Sequence, residues 1–277
     1  MRVCSVIQAR LSSSRLPAKV LKHLPFNSDI TVLQQVIRRV KRSKSVDDIV
    51  VATTNEPEDL KIVDIAEAEL VRWFRGSKED LLERYYFAAK ESKADVVVRI
   101  TSDCPCIDSY IIDRMVDKHI QDDADYTSNC HIRTFPHGID VQVANISVVE
   151  EAYLKANKKY EREHVFPYIY ETCKDRFKIS HLLAEEDERG EDIRITIDTL
   201  EDYILVCTVF DYLYDRDNFF GCKDIVTLFK NKPWLKYINQ KIVQKKNFED
   251  LEEELKEAIK ILELQELYRS SEILKRF

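Results

Sequence analysis

Gln8–Lys19, QARLSSSRLPAK, follows the short apolar run Val3–Ile7, and its reading decides how the rest of the chain is read. The stretch holds three basic side chains, Arg10, Arg15 and Lys19, and the adjacent serines Ser12, Ser13 and Ser14. A buried strand that ends in a polar, cationic loop is a common way for an α/β protein to meet phosphate. Backbone N–H groups and hydroxyls offer hydrogen bonds, while arginine and lysine offer charge. Pro17 fixes one φ angle and so restricts where Lys19 points. Taken alone, the stretch reads equally well as a solvated basic loop, and the segments after it decide.

Those segments alternate between strand and helix patterns. Ile49–Thr53, Val71–Phe74 and Asp95–Ile100 read as further strands. Between them, helices are expected over Thr31–Ser43, with apolar residues at helical spacing, over Pro57–Glu69, with proline at its start, and from Ser77 to about Ser92. Another is expected over Ser109–Gln121. Strands spaced by helices of this size predict an α/β fold, a mostly parallel sheet with helices on both faces. Ligands of such sheets lie beyond the carboxyl ends of the strands. The residues there are Ala9–Lys19, Thr53–Asn55, Arg75–Ser77 and Thr101–Asp103, all polar or charged, which favours the phosphate-loop reading. The second half is less regular. Strands are expected at Asp125–Asn129, Asp140–Ala144, Phe177–Leu183 and Arg194–Ile197. Helices are expected at Ser147–Asn157, Arg162–Cys173, Glu201–Tyr214 and Lys223–Phe229. Asn247–Leu274 is charged, lacks glycine and proline, and carries Phe248, Leu251, Leu255, Ala258 and Leu262 at helical spacing. That spacing predicts one or two amphipathic helices, packed back on the domain or pairing with a second chain as a homodimer.

Composition narrows the function. The chain has 277 residues and a formal net charge of −7, which argues against an extended nucleic-acid track and leaves any basic patch local. No run reaches the apolar length of a membrane span, and no signal-peptide layout is seen at the start. The seven cysteines are scattered without a C-x-x-C pair, so neither a zinc ribbon nor a disulfide framework is suggested, and a cytoplasmic setting is the simplest. The four glycines, Gly76, Gly138, Gly190 and Gly221, exclude both the G-x-G-x-x-G fingerprint and the Walker A loop. A nucleotide would have to be bound by another route.

Seven segments in order carry a family resemblance: the QAR…R-L-P-x-K loop, the strand IVVATT, the FRGS…DLL-x-RYY block, the RIT-x-DCP turn, and the later PHG-x-DV, EREHV-x-PYI and I-x-IDT-x-ED segments. They resemble the spore-coat polysaccharide biosynthesis type of cytidylyltransferase, related to the enzymes that activate acylneuraminate and deoxy-octulosonate sugars. The resemblance runs from near Val3 to near Asp215 and leaves the tail after Lys236 outside. It implies a Rossmann-related, GT-A-like nucleotidyltransferase domain over residues 1–236, followed by a helical extension over 237–277. It further implies use of CTP and Mg²⁺, formation of a CMP-linked product and release of pyrophosphate. The triphosphate role falls on Arg15 and Lys19, with Ser13 and Ser14 nearby and Arg10 beside them, and the resemblance gives Asp103 and Asp198 to the metal. Relatives often carry glycine where this chain has Ser12 and Ala18, which bears on the backbone of the loop.

The residues support the same chemistry. Charge builds on the phosphates during nucleotidyl transfer, so catalysis is mainly positioning and electrostatic stabilisation. Magnesium takes one or two carboxylates plus substrate phosphates, and Asp103 and Asp198 stand at the ends of expected strands. The alternative for Asp103 is a turn cap before Pro105, and for Asp198 a helix cap. Gln8, Thr53, Thr54, Arg75, Ser77 and Asp80 are the further nucleotide candidates. Arg84 either faces the nucleotide or pairs with an acid. Acceptor candidates are Asn129, Arg133, His137, Asp140, Arg162 and His164, a partly cationic set suited to an anionic sugar or a small phosphorylated acceptor. A phosphate acceptor needs no general base; for a sugar hydroxyl, His164 or Asp140 is the first to test. The competing readings are a relative using another nucleotide and a non-catalytic nucleotide-binding assembly subunit that recruits a partner through the tail.

Overall fold

The strand before the basic loop is β1, Val3–Gln8, and its first five residues are buried. A computed structural model describes residues 1–242 and 251–276, within two units, 1–240 and 241–277. In the first unit β1 is central to a seven-stranded sheet of order β3-β2-β1-β4-β6-β5-β7. The other strands are β2 Asp48–Thr54, β3 Arg72–Gly76, β4 Val96–Thr101, β5 Tyr126–Ser128, β6 Gln142–Asn145 and β7 Ile179–His181. β3, β2, β1 and β4 run parallel, β6 is antiparallel to both neighbours, and β7 is parallel to β5. The sheet is therefore mixed, and the carboxyl ends of β1–β5 and β7 share one edge with the start of β6.

Helices cover both faces, as the alternating pattern predicts. One core packs α1 (Val32–Val40), α2 (Leu60–Ala68), α4 (Ser109–Gln121), α7 (Leu200–Leu213) and α8 (Cys222–Asn231) on the face carrying Ile7, Val51 and Val98. The other packs α3 (Leu81–Glu91) and α5 (Ile146–Lys155) on the face carrying Val6, Ala52 and Val97. Each fully buried aliphatic or aromatic side chain contributes roughly 1.5–3 kcal/mol by leaving water.

Three expectations change. Arg162–Cys173 is not one helix: α6, Lys159–His164, ends at Val165 with φ 75°, and a wider turn, Tyr168–Thr172, follows. Pro167 lacks the N–H a helix needs and disfavours helical backbone before it. Arg194–Ile197 is not a strand of the sheet and makes only a single parallel bridge, Arg194 to His137. The cap of α3 is Asp80, which accepts from the Glu83 N–H, while the Ser77 hydroxyl accepts from the Asp80 N–H.

In the second unit the tail is two helices, α9 Leu251–Leu264 and α10 Tyr268–Leu274, broken where Glu266 takes φ 59°. Glu263 joins them by accepting from Ser271 Oγ at 3.1 Å and Lys275 Nζ at 2.8 Å. The start of the expected tail helix, including Phe248, lies outside the described residues. No helix among them is long and apolar enough to cross a membrane.

Candidate active site

Lys19 opens a short 3-10 turn after the basic loop, and the chain enters it through Ala18 in the left-handed region, φ 51°. Of the two loop positions singled out above for their backbone, Ala18 alone has a positive φ, and Ser12 does not. The loop is tied at its root, where the Leu11 N–H donates to Asp59 Oδ1 at 2.8 Å. From there Lys19 Nζ donates to Asp103 Oδ2 at 2.7 Å, Asp198 Oδ1 at 2.9 Å and the Ile197 carbonyl at 2.8 Å. Arg15 Nη2 stands 3.1 Å from Asp198 Oδ1, and Arg194 Nη2 donates to Asp198 Oδ2 at 2.8 Å.

Backbone bonds bring these distant aspartates together. Asp103 lies in the turn after β4, and its carbonyl accepts from the Ile197 N–H at 2.8 Å, which hooks residues 194–198 beside it. The other side of that segment is held by His137, whose N–H donates to the Ile193 carbonyl and whose carbonyl accepts from the Ile195 N–H, both at 2.8 Å. Gly138 makes this approach possible: its φ is +116°, and a Cβ would stand 2.8 Å from the Ile195 carbonyl carbon. Asp198 does not cap α7. Thr199 does, accepting from the Asp202 N–H, so the Asp198 carboxylate remains turned to Lys19.

The electrostatics follow. Burial works to lower the Lys19 pKa, but the two carboxylates outweigh it and hold the ammonium above its ordinary value. Burial raises Asp198, but Lys19, Arg15 and Arg194 together bring it down to about 2. Asp103 is likewise lowered, with burial and Asp198 opposing Lys19. With 24% and 22% of their side chains exposed, both carboxylates are open to a ligand. No group of three or more His, Cys, Asp and Glu among the described residues could hold a metal. Two ionised carboxylates around one cation are a donor set that a hard divalent ion can use when substrate oxygens complete its shell.

The other nucleotide candidates divide. Arg10, Ser13 and Ser14 belong to the solvent-facing loop. Gln8 accepts from Tyr85 OH at 3.0 Å. Thr53 and Thr54 are sealed in the core, and the Thr54 hydroxyl is spent on Asp59. Arg75 is also spent, donating to the Thr54 carbonyl at 3.0 Å and the Glu56 carbonyl at 3.1 Å. Asp80 pairs with Arg162 Nε at 2.6 Å, and Ser77 serves the turn before α3.

On the acceptor side, Arg133 grips Asp140 through two bonds of 2.9 and 3.3 Å. His137 Nε2 lies 3.7 Å from Asp140 Oδ2, and its Nδ1 lies 3.1 Å from Arg194 Nη1, so these residues connect to Asp198. Asn129 leaves the set, because its amide donates to the Ile139 carbonyl and accepts from the Val141 N–H, both at 2.8 Å. Arg162 leaves it too, bound to Asp80 and the carbonyls of Tyr153 and Ala156. His164 sits on α6 with its ring 5.9 Å from that of Tyr160.

Sequence reasoning missed a polar row across the second half of the sheet. Arg99 pairs in register with Gln142, Gln142 with Ser128, and Ser128 with His181. All four lie at the carboxyl-end edge. Arg99 Nη1 donates to Gln142 Oε1 at 2.6 Å, but Arg99 Nε and His181 Nδ1 are buried without a hydrogen-bond partner among the described residues. His131 stands over the row with its ring 6.3 Å from that of His181 and 3.9 Å from that of Tyr170. Desolvation, then His181, hold its pKa down to about 4, so it is neutral near pH 7. The overlooked signal was an arginine inside an otherwise apolar run, VVVRI (96–100).

A cytidylyltransferase family model matches residues 4–273. The chain is 38% identical over 253 residues to an uncharacterized protein of Methanocaldococcus jannaschii, covering 91% of this chain and 100% of that protein. It is 32% identical over 237 residues to the spore coat polysaccharide biosynthesis protein SpsF of Bacillus subtilis, covering 82% and 94%. Among solved structures, a cytidylyltransferase from Leptospira borgpetersenii superposes with a TM-score of 0.80 at 37% identity, covering 88% of this chain and 100% of that one. Fold and relatives define a nucleotidyltransferase. More narrowly, the chain belongs to the cytidylyltransferase family, in the spore-coat polysaccharide group that its motifs resemble. The family match extends to residue 273, so the tail lies inside the family's span and not beyond it.

Proposed function

We propose that the chain transfers CMP from CTP to a small anionic acceptor, with Mg²⁺, for surface polysaccharide synthesis in the cytoplasm. The observation that carries this reading is the convergence of Lys19, Arg15, Asp103 and Asp198 at the mouth of the basic loop. Family membership supports CTP, the relation to SpsF supports the pathway, and seven free thiols fit a reducing compartment.

In the reaction an acceptor oxygen bonds to the α-phosphorus while the α–β bridging P–O bond breaks, and the electron pair leaves with pyrophosphate. Arg15 and Lys19 bind the phosphate chain and stabilise the charge that develops on it, with Arg10, Ser13 and Ser14 along the same loop. Asp103 and Asp198 would hold Mg²⁺, which supplies charge neutralisation at the phosphate oxygens. Arg99, Gln142, His131 and His181 form the floor and walls of the acceptor site, and the unpartnered Arg99 Nε offers an N–H to an anionic group. Arginine can only donate, so His137 Nδ1 accepts from Arg194 and the ring proton rests on Nε2, toward Asp140. His137 in this tautomer positions its neighbours. Removal of a proton from a hydroxyl acceptor falls to Asp140.

The test is pyrophosphate release with CTP, UTP, ATP or GTP against a panel of sugar acids and sugar phosphates. Release with CTP and at least one anionic acceptor is expected. Failure of CTP with Mg²⁺ to bind in isothermal titration would overturn the reading.

A further inference from the structure

The nucleotide half of the sheet holds a buried guanidinium with two nitrogens that no hydrogen-bond acceptor meets among the described residues. Arg84, in the first turns of α3, is 3% exposed, and its Nε and Nη1 are buried without a hydrogen-bond partner among the described residues. Burial drives its pKa down to about 10; Tyr85 opposes this, Arg10 in the basic loop adds to it, and Asp59 and Asp80 offset only part. The acids that could have answered it are committed elsewhere: Asp59 to Leu11 and Thr54, Asp80 to the α3 cap and Arg162. The fold even makes room for this arrangement. A Cβ on Gly76, at the end of β3, would stand 2.8 Å from Arg84 Cγ and 2.9 Å from the Phe74 ring. A guanidinium has donors only, so what it lacks is an acceptor, and its charge favours an electron-rich oxygen.

We propose that Arg84 is a nucleotide-binding residue, kept unpartnered beneath Gly76 so that it can donate to an oxygen of the bound nucleotide. The oxygen belongs either to the nucleoside end or to a phosphate. This takes over the role that the sequence pattern assigned to Arg75, and it rests on the nucleotide reading above. It also explains why a buried charge is tolerated: the group is destabilising in the free protein and is satisfied on binding.

Arg84→Met keeps the length of the side chain and removes the charge and donors. Its thermal midpoint should equal or exceed that of the wild type, while CTP affinity in Mg²⁺, read by isothermal titration, falls at least tenfold. Titrations of cytidine, CMP and CTP locate the oxygen. An equal fold-loss for all three assigns it to the nucleoside end; a loss confined to CMP and CTP assigns it to phosphate. Gly76→Ala, which displaces the arginine but retains it, should show the same pattern. Should Arg84→Met not fold, Arg84→Lys, which keeps the charge but loses the planar fork, should still weaken CTP at least tenfold. CTP affinity within twofold of wild type in the folded variants would overturn the proposal. If the wild type itself binds none of CTP, UTP, ATP and GTP, the nucleotide reading fails, and this proposal fails with it. Binding by the wild type with no change in the variants fails Arg84 alone.

Discussion

The two halves of the sheet are built differently: the β3-β2-β1-β4 half is all parallel, whereas β6 in the other half runs antiparallel to both its neighbours. In the parallel half, the residues to which the proposed function gives the phosphates and the metal, Arg15, Lys19 and Asp103, emerge from loops at the strand ends. In the β6-β5-β7 half, with β4 as the shared strand, the polar side chains Arg99, Gln142, Ser128 and His181 stand in register on the strands themselves, with His131 and Asp140 in the connection between β5 and β6. Loop residues can be re-aimed without disturbing a core, whereas strand residues are fixed by register. On the proposed reading, a site made of both sets loop-borne phosphate groups beside an acceptor region fixed by strand register.

The sharpest way to break this contrast is Asp103→Asn. The change is isosteric and the residue is partly exposed, so the fold should survive, with an unchanged circular-dichroism melt. Turnover by pyrophosphate release should fall about 10³-fold or more, as when a group that stabilises transition-state charge is removed. Near-normal turnover would remove Asp103 from the chemistry. Next in size, Arg99→Gln should raise the acceptor KM about 10- to 100-fold, the worth of a charge-assisted hydrogen bond, while CTP affinity stays unchanged. A matching loss of CTP affinity would dissolve the division between the halves. Asn129→Ala should cost about 1–3 kcal/mol of stability in denaturant titration, because it strands the buried Ile139 carbonyl and Val141 N–H. CTP affinity should again not move. The smallest effect belongs to the loop: Ala18→Gly relieves a left-handed alanine and should stabilise by about 0.5–1 kcal/mol, with chemical denaturation as the readout. A loss of stability there would mean that the alanine methyl packs better than the backbone strain it causes.

The same contrast explains what could be read from the chain beforehand. Strand-loop-helix alternation and loop chemistry are local, so β1, β2, the basic loop and Asp103 were legible from residue pattern alone. Convergence of Asp198 with Asp103 depends on the Ile197-to-Asp103 backbone bond and the close pass at Gly138, which leave no local trace, and only the family resemblance anticipated it. Asn129, Arg162 and Arg75 have the chemistry of ligands, but the fold uses them to tie backbone, because a buried carbonyl or N–H must find a partner. Arg99 was legible as an oddity, a charged residue inside an apolar run, though not as one end of a row spanning four strands. Residues 194–197 alternate like a strand yet make only one bridge, since the segment is held edge-on by His137 and Asp103 and not by a neighbouring strand.

The lysine that bridges Asp103 and Asp198 has a bearing on how the protein rests between turnovers. Its ammonium lies between two carboxylates and keeps the two like charges side by side. On the proposed reading that ammonium must step aside, and an arriving polyphosphate gives it somewhere to go. A bare divalent ion offers no such exchange, and a bare polyphosphate leaves the carboxylates facing their own kind. On that reading, arrival of the two as one unit is the cheapest entry, and the expected titration is tighter binding of CTP with Mg²⁺ than of CTP without it.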